Sequence, residues 1–200
     1  MNKKTFAEII SKLFDPPVLG IVILLVAIGK SKMSMELSIV WTLSVLFLNG
    51  FVPFLFYLYF TKKGMVFDDT LEDEKVHKQR IVIFLVFFSI VAIELLILVL
   101  TQIYQPLLAI FSGGLIALGL AIIITYWWKI SLHSSLVTIF VAMLIFIYGL
   151  KVWPVILFIP LVFWSRLYMK RHTFAQLFGG FVVSLLIVGS VFYLYGIMRI

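Results

Sequence analysis

Long uninterrupted runs of apolar residues restrict the fold of this chain more than any other feature of its sequence. Seven such runs occur, at about 17–29, 38–60, 81–101, 106–128, 135–150, 152–164 and 174–197. A helix needs roughly 20 apolar residues to cross the hydrocarbon core of a bilayer, and four of the runs reach that length. The runs therefore predict an all-α integral membrane protein, a helical bundle of six to seven spans.

The composition excludes several classes of protein. Hydrophobic residues make up 64% of the chain and charged residues 12%, whereas about 25% of residues are charged in soluble domains. A soluble enzyme, a disordered chain and a nucleic-acid-binding protein are excluded on this ground, and membrane lipids are the expected partners. The net charge of +7 is then expected to orient the protein in the membrane, to attract anionic lipid headgroups, or to bind a phosphate-bearing substrate.

The sequence contains no internal repeat, and we interpret residues 1–200 as a single multi-span membrane domain. Apolar side chains recur at helical spacing between Phe6 and Phe14, which is typical of an amphipathic helix at a membrane surface. Residues 1–16 are therefore expected to form an amphipathic lead-in that ends at Asp15, before two prolines. The runs at 135–150 and 152–164 are short, so they form either two helices in a tight hairpin or one long broken segment.

Polar residues gather in three short clusters between the apolar runs, and each cluster contains one of the three histidines of the chain. In a membrane protein this apolar, the ionisable side chains that remain indicate functional sites. The clusters surround His77, His133 and His172. Two clusters lie on the same side of the membrane, and can share one site, only when an even number of spans separates them. Two spans lie between the second and third clusters only if the short runs at 135–150 and 152–164 form a hairpin, so this parity favours the hairpin.

The third cluster has the most specific spacing, with Ser165, Arg166 and His172 in the order S-R-x-x-x-x-x-H. It resembles the S-R-x-x-x-x-x-H-x-x-x-D motif of the type 2 phosphatidic-acid phosphatase family, membrane lipid phosphatases that are related to vanadium haloperoxidases. About forty residues earlier, Ser131 and His133 are similar to the Ser and His of that family's P-S-G-H motif. The resemblance covers about residues 75–185 and implies a phosphatase-like core at about 75–200.

The first cluster is less similar to the corresponding family motif, K-x-x-x-x-x-x-R-P. Arg80 occupies the place of the arginine, but Asp73 stands seven residues before it and Ile81 replaces the proline. Lys75 or Lys78 is then expected to supply the second positive charge.

The resemblance implies a phosphoric monoester or diphosphate hydrolase that acts on lipids and requires no metal or other cofactor. In such an enzyme His172 attacks phosphorus and carries the phosphoryl group, while His133 protonates the departing lipid oxygen. The sequence does not specify which lipid it is, since phosphatidic acid, phosphatidylglycerophosphate and polyprenyl diphosphate all present the same group to the site. The residues expected to bind this group are Arg166, Arg80, Lys75, Lys78, Ser131 and Ser165.

Gln176 stands where the family motif has aspartate. In the family pattern that carboxylate accepts a hydrogen bond from the nucleophilic histidine and stabilises the positive charge that the ring acquires. An amide oxygen can still accept the hydrogen bond from His172, but it carries no charge. Three outcomes follow: a slower phosphatase, a carboxylate supplied from elsewhere, or a protein that binds lipid phosphate without cleaving it. We expect the slower enzyme, with Gln176 as part of its catalytic site.

Basic residues are divided unevenly between the two sides of the predicted membrane. Of the sixteen lysines and arginines, twelve lie on the side of the N-terminus and of the three clusters. By the positive-inside rule, the site then faces the cytoplasm from the cell membrane. The four basic residues on the opposite side are Lys30, Lys32, Lys151 and Arg199.

Two rival functions remain open. Asp69 and Asp73 have the D-x-x-x-D spacing that chelates magnesium against a diphosphate, as in intramembrane prenyltransferases. A non-enzymatic protein that binds or transports a lipid phosphate would explain the spans but not the spacing of Arg166 and His172. Glu94, inside the third run, is expected to be a structural partner or a protonated carboxyl and not a catalytic group.

Overall fold

A computed structural model describes residues 2–63, 74–102 and 105–197, with the backbone alone described for residues 74–80. Regular secondary structure in these ranges is entirely helical. The α-helices are α1 (Lys3–Leu13), α2 (Pro16–Lys30), α3 (Met35–Val45), α4 (Val52–Lys62), α5 (Glu74–Leu100), α6 (Leu107–Trp127), α7 (Leu132–Tyr148), α8 (Phe158–Tyr168) and α9 (Phe174–Leu194). A π-helix, Leu46–Phe51, joins α3 to α4, and a 3₁₀ segment, Leu150–Leu157, precedes α8.

Several of these helices are long and apolar enough to cross a membrane. Helices α1 and α2, which meet at an angle of 45°, form a further span if they are counted as one, and α7 is an apolar helix of 17 residues. The prediction of an all-α integral membrane protein is confirmed, and the described helices provide five spans, or six if α1 and α2 count as one, which is compatible with a bundle of about six spans. The five uninterrupted spans are Met35–Lys62, Ile81–Leu100, Leu107–Trp127, Leu150–Tyr168 and Phe174–Leu194.

The single membrane domain expected from the sequence consists of two compact units. We call residues 21–128 the central unit, and residues 1–20 together with 129–200 the terminal unit. In the central unit α5 packs along α6, and the π-helix between α3 and α4 lies against α5. Within that π-helix the buried Asn49 donates hydrogen bonds of 2.9 Å to both carboxylate oxygens of Glu94. Asn49 is thus the structural partner that was expected for Glu94.

The terminal unit is built on α7, which packs against both α8 and α9, while α1 packs against α8. Apolar side chains from four of its helices fill the interior, because a helix of this unit buries one face against its neighbours. The rings of Phe14 and Phe158 meet with their centroids 5.1 Å apart. The core of this unit contains Ile10, Phe14, Leu19, Val137, Val141 and Val162.

Helices α7 and α8 form the hairpin that the parity argument favoured. Gly149 ends α7 with a φ of 75°, a left-handed conformation that glycine adopts without strain, and its N–H donates to Ile145 O. The 3₁₀ segment then leads into α8, which returns alongside α7. The second and third polar clusters are consequently brought to the same end of the terminal unit.

Candidate functional site

The turn between α8 and α9 explains the spacing of Arg166 and His172. Arg166 lies in the last turn of α8, and Lys170 adopts a left-handed φ of 54° just after that helix. The N–H of Arg171 donates to Arg166 O, and the N–H of Lys170 donates to Leu167 O, which is the Schellman motif that ends many helices. His172 follows directly and precedes the first turn of α9, so one compact turn holds the arginine and the histidine near each other.

Hydrogen bonds join the start of α7 to the start of α9. Ser131 is the N-cap of α7, and its backbone N–H donates to Gln176 O over 3.2 Å. Ser134, the third residue of α7, donates its hydroxyl proton to Leu177 O over 2.6 Å. His133, the second residue of α7, is therefore fixed beside the first turn of α9, which begins two residues after His172.

The close contact between α7 and α9 requires a glycine at position 180. A Cβ atom there would lie 2.8 Å from Ser131 O and 2.9 Å from Ser135 Oγ, which is closer than side chains approach each other in proteins. The absent side chain lets the two backbones meet at this point. Gly180 thus controls how near the second polar cluster lies to the third.

Ser11, on α1, links Arg166 to His133. Arg166 Nη1 donates a 2.8 Å hydrogen bond to Ser11 Oγ, and the same oxygen lies 3.5 Å from His133 Nε2. All three side chains are buried, with exposed fractions of 8% for Ser11, 3% for Arg166 and 6% for His133. A guanidinium and an imidazole therefore lie on either side of one hydroxyl oxygen in a region that excludes most water.

Asp15, in the bend between α1 and α2, adds a carboxylate to this group. Its Oδ1 lies 3.8 Å from His133 Nε2, an ion-pair distance when the imidazole is protonated. The carboxylate side chain is half exposed, whereas the imidazole is buried. The group formed by Ser11, Asp15, His133 and Arg166 is called the Ser11 cluster below.

Sequence reasoning did not identify Ser11 or Asp15, since both lie outside the three polar clusters. Residues 1–16 were expected to lie on the membrane surface as an amphipathic lead-in. In the structure, α1 buries Ala7, Ile10 and Ser11, and it packs against α8. The available signal was a polar residue, Ser11, next to buried apolar positions on α1, and a carboxylate, Asp15, just beyond the end of that helix.

Gln176 helps to begin α9. Its Oε1 accepts a 3.0 Å hydrogen bond from Thr173 N, and its own N–H donates to Thr173 Oγ1, which together form a capping box. The helix starts at Phe174, so His172 precedes the first helical turn and the four-residue spacing does not by itself align the two side chains. The predicted contact between Gln176 and His172 stays a prediction.

Ser165 serves the packing of α1 against α8. Its hydroxyl donates a 2.7 Å hydrogen bond to Ala7 O, and the side chain is fully buried. The rings of Phe6 and Trp164 meet on the same pair of helices. The role of Ser165 in binding phosphate stays a prediction, while its hydrogen bond to Ala7 O is one of the contacts that join α1, which carries Ser11, to α8, which carries Arg166.

The first polar cluster belongs to the central unit. Lys75, Lys78 and Arg80 lie on the first two turns of α5, and their side chains are outside the described residues. The pair Asp69 and Asp73 also lies outside them. Among the residues that are described, no group of three or more His, Asp or Glu side chains is placed to hold a metal ion.

The site favours an anion. Arg166 supplies a permanent positive charge, and the N-termini of α7 and α9, which carry partial positive charge, lie side by side next to the two histidines. Lys129, just before α7, is also buried in this unit. These features define an all-α membrane protein whose terminal unit contains a buried arginine and two buried histidines. No family model, no curated protein and no solved structure matches the chain.

Proposed function

We propose that this protein is a metal-independent membrane lipid phosphatase, similar to the type 2 phosphatidic-acid phosphatases that its motifs resemble. The observation that supports this proposal most strongly is the Ser11 cluster, in which Arg166 and His133 approach the same oxygen atom. A phosphoryl oxygen in this position would have a cation, the guanidinium, to bind it. The leaving oxygen on the same phosphorus would have an acid, the imidazole, to protonate it.

The proposed reaction has two steps. A ring nitrogen of His172 attacks phosphorus, a P–N bond forms, and the P–O bond to the lipid breaks with its electron pair remaining on the lipid oxygen. His133 gives its proton to that oxygen, so the lipid alcohol leaves as a neutral molecule. Water then attacks the phosphohistidine and gives a proton to neutral His133; the P–N bond breaks, and inorganic phosphate is released.

Electrostatic stabilisation supplies the remainder of the catalysis. Phosphoryl transfer spreads negative charge over the equatorial oxygens, and preorganised donors lower the barrier when they are aimed at those oxygens. Arg166 provides the forked donor, and the first N–H groups of α7 and α9 provide further positive potential. Burial of Arg166 and His133 strengthens each of these interactions, because little water is present to screen them.

The substrate is a lipid phosphate or diphosphate in the cell membrane. The cationic site lies at one end of apolar helices, so a headgroup can bind there while its acyl or prenyl tail remains among the membrane-spanning segments. The positive-inside rule places this end at the cytoplasmic face.

A phosphate-release assay of the purified full-length protein tests the proposal. Phosphatidic acid, phosphatidylglycerophosphate and a polyprenyl diphosphate are each supplied in detergent, with and without EDTA. We expect release of phosphate from at least one lipid, unchanged by the chelator and abolished in His172→Ala. Phosphate release that requires magnesium would contradict the metal-independent mechanism. Magnesium-dependent loss of intact diphosphate from the polyprenyl substrate would favour the prenyltransferase class. Binding of these lipids without any release would favour a non-enzymatic protein.

A further inference from the structure

We infer that Asp15 is a positioning residue for catalysis, which keeps His133 protonated and correctly oriented so that it can act as the general acid. This inference rests on the proposed phosphatase function and deepens it, because none of the motifs that indicated the function includes Asp15. Its basis is the 3.8 Å distance between Asp15 Oδ1 and His133 Nε2.

The geometry distinguishes this role from that of a Ser-His-Asp triad. In a triad the serine and the aspartate face opposite nitrogens of the imidazole, so that the ring passes a proton from the serine. Here Ser11 Oγ and Asp15 Oδ1 both approach Nε2 of His133. Arg166 also donates to Ser11 Oγ. Ser11 is thus a bridging hydroxyl, and the Asp15 carboxylate faces the same ring nitrogen of His133 as that hydroxyl.

The charges around His133 explain why a carboxylate is needed beside it. Arg166 is joined to His133 through the hydroxyl of Ser11, and its permanent positive charge disfavours a second cation there. A free imidazole is mostly neutral at pH 7, and the neutral ring is a far weaker acid toward a departing alkoxide than the imidazolium. The carboxylate of Asp15 offsets the arginine and favours the imidazolium, and solvent at its exposed side weakens this effect without removing it.

Local structure holds Asp15 in place. Its backbone N–H donates to Lys12 O at the end of α1, and its own carbonyl accepts from the N–H of the buried Leu19. Pro16 follows, has no N–H to donate, and begins α2 at an angle of 45° to α1. The carboxylate therefore projects from a bend that backbone hydrogen bonds tie to both helices, and the packing of α1 on α8 holds this bend beside His133.

During the reaction Asp15 neither gains nor loses a proton. The P–O bond breaks, its electron pair stays on the lipid oxygen, and the proton passes from His133 to that oxygen. Asp15 favours the charged ring before this transfer, and it favours recovery of a proton from water in the second step. Removal of the Asp15 carboxylate should therefore slow hydrolysis most for substrates whose leaving group needs a proton.

Amide substitution of Asp15, with two classes of substrate, tests the inference. In Asp15→Asn we expect kcat for the lipid phosphate to fall by about tenfold, a part of the 10²–10⁴ that general acid catalysis contributes. Hydrolysis of nitrophenyl phosphate should change little, because nitrophenolate leaves without a proton. Asp15→Glu should recover part of the lipid rate. Glu8→Gln, the same change of charge seven residues earlier on α1, is the matched control and should leave both rates unchanged.

A double variant separates positioning from folding. In a His133→Ala background, Asp15→Asn should lower the lipid rate by less than about twofold, since the group on which it acts is gone. Equal losses for both substrates, or an undiminished effect in the His133→Ala background, would overturn the role of Asp15 while leaving the phosphatase proposal intact. The same holds if Asp15→Asn matches Glu8→Gln. Absence of phosphate release by the wild-type protein would overturn both. Gel filtration and thermal unfolding of each variant identify any loss that is due to misfolding.

Discussion

Arg166 and Ser11 are separated by 155 positions in the sequence, yet the guanidinium donates a 2.8 Å hydrogen bond to the serine hydroxyl. This bond joins the N-terminal helix to the arginine of the most specific polar cluster. Ser165, the preceding residue, makes a second bond to α1 through Ala7 O. Helix α1 is therefore a wall of the candidate site, and a ligand of the Arg166 guanidinium would bind beside the Ser11 oxygen.

The shape of Arg166 should matter as well as its charge. Arg166→Lys keeps one positive charge but loses the planar fork that binds two phosphate oxygens at once. Loss of one charge-assisted hydrogen bond, worth about 1.5–3 kcal/mol, corresponds to a decrease of roughly 10- to 100-fold in kcat/KM for the lipid phosphate. Arg171→Lys makes the same chemical change five residues later and should have a smaller effect. Equal effects of the two substitutions would show that the fork at Arg166 has no special role.

The effects of substituting the two histidines should depend differently on the leaving group of the substrate. His172→Ala removes the proposed nucleophile, so turnover of every substrate and any acid-labile phosphoenzyme should be lost. His133→Ala should slow a lipid phosphate by about 10²–10⁴-fold and nitrophenyl phosphate far less. Radiolabelled lipid, acid quenching and initial rates with both substrates measure these effects. Wild-type turnover in His172→Ala would exclude the phosphohistidine mechanism.

Gln176→Glu should accelerate a phosphatase that lacks the carboxylate of its family motif. Glutamate preserves the length of the side chain and can retain the capping box with Thr173, while it adds a negative charge in the turn that follows His172. We expect turnover to rise by roughly tenfold, the equivalent of about 1.4 kcal/mol of added charge stabilisation at His172.

The cap itself provides the control for this substitution. Thr173→Ser keeps the hydroxyl of the cap and should leave turnover near the wild-type value. If Gln176→Glu lowered turnover while His172 remained essential, Gln176 would not stand in for the missing carboxylate.

The contact between α7 and α9 should not tolerate a methyl group at position 180. In Gly180→Ala the new Cβ meets Ser131 O and Ser135 Oγ, so the helices must separate, at a cost of about 1–3 kcal/mol. Both the melting temperature in detergent and the lipid turnover should fall. Gly189→Ala, on the same helix, places its Cβ in open space and should leave both quantities near or slightly above their wild-type values. Similar behaviour of the two variants would contradict the close approach at Gly180.

Membrane orientation can be measured with single cysteines, because the wild-type chain contains none. Lys63 and Lys151 are both exposed, and the distribution of basic residues predicts that they lie on opposite sides of the membrane. In intact cells an impermeant maleimide should label Lys151→Cys and leave Lys63→Cys unlabelled until the membrane is permeabilised. Labelling of Lys63→Cys in intact cells would reverse the predicted cytoplasmic orientation of the site.

Properties that depend on neighbouring residues could be predicted from the sequence. Each apolar run requires a helix in a bilayer, because a helix satisfies its backbone hydrogen bonds within the segment itself. The spacing of Arg166 and His172 likewise depends on one local turn, in which the N–H of Arg171 donates to Arg166 O. The hairpin at Gly149 followed from the parity of the spans together with the requirement that His133 and Arg166 meet.

Only the tertiary structure decided which other groups surround those residues. Ser11 lies 122 positions from His133 in the sequence, and no pattern of hydrophobicity indicates that the two side chains meet. The contact depends on the fit of α1 against α8, on the bend before Pro16 and on the absence of a side chain at Gly180. Packing between helices is determined by the shapes of side chains that are distant in the chain, whereas helix formation is determined by residues within a few turns of one another.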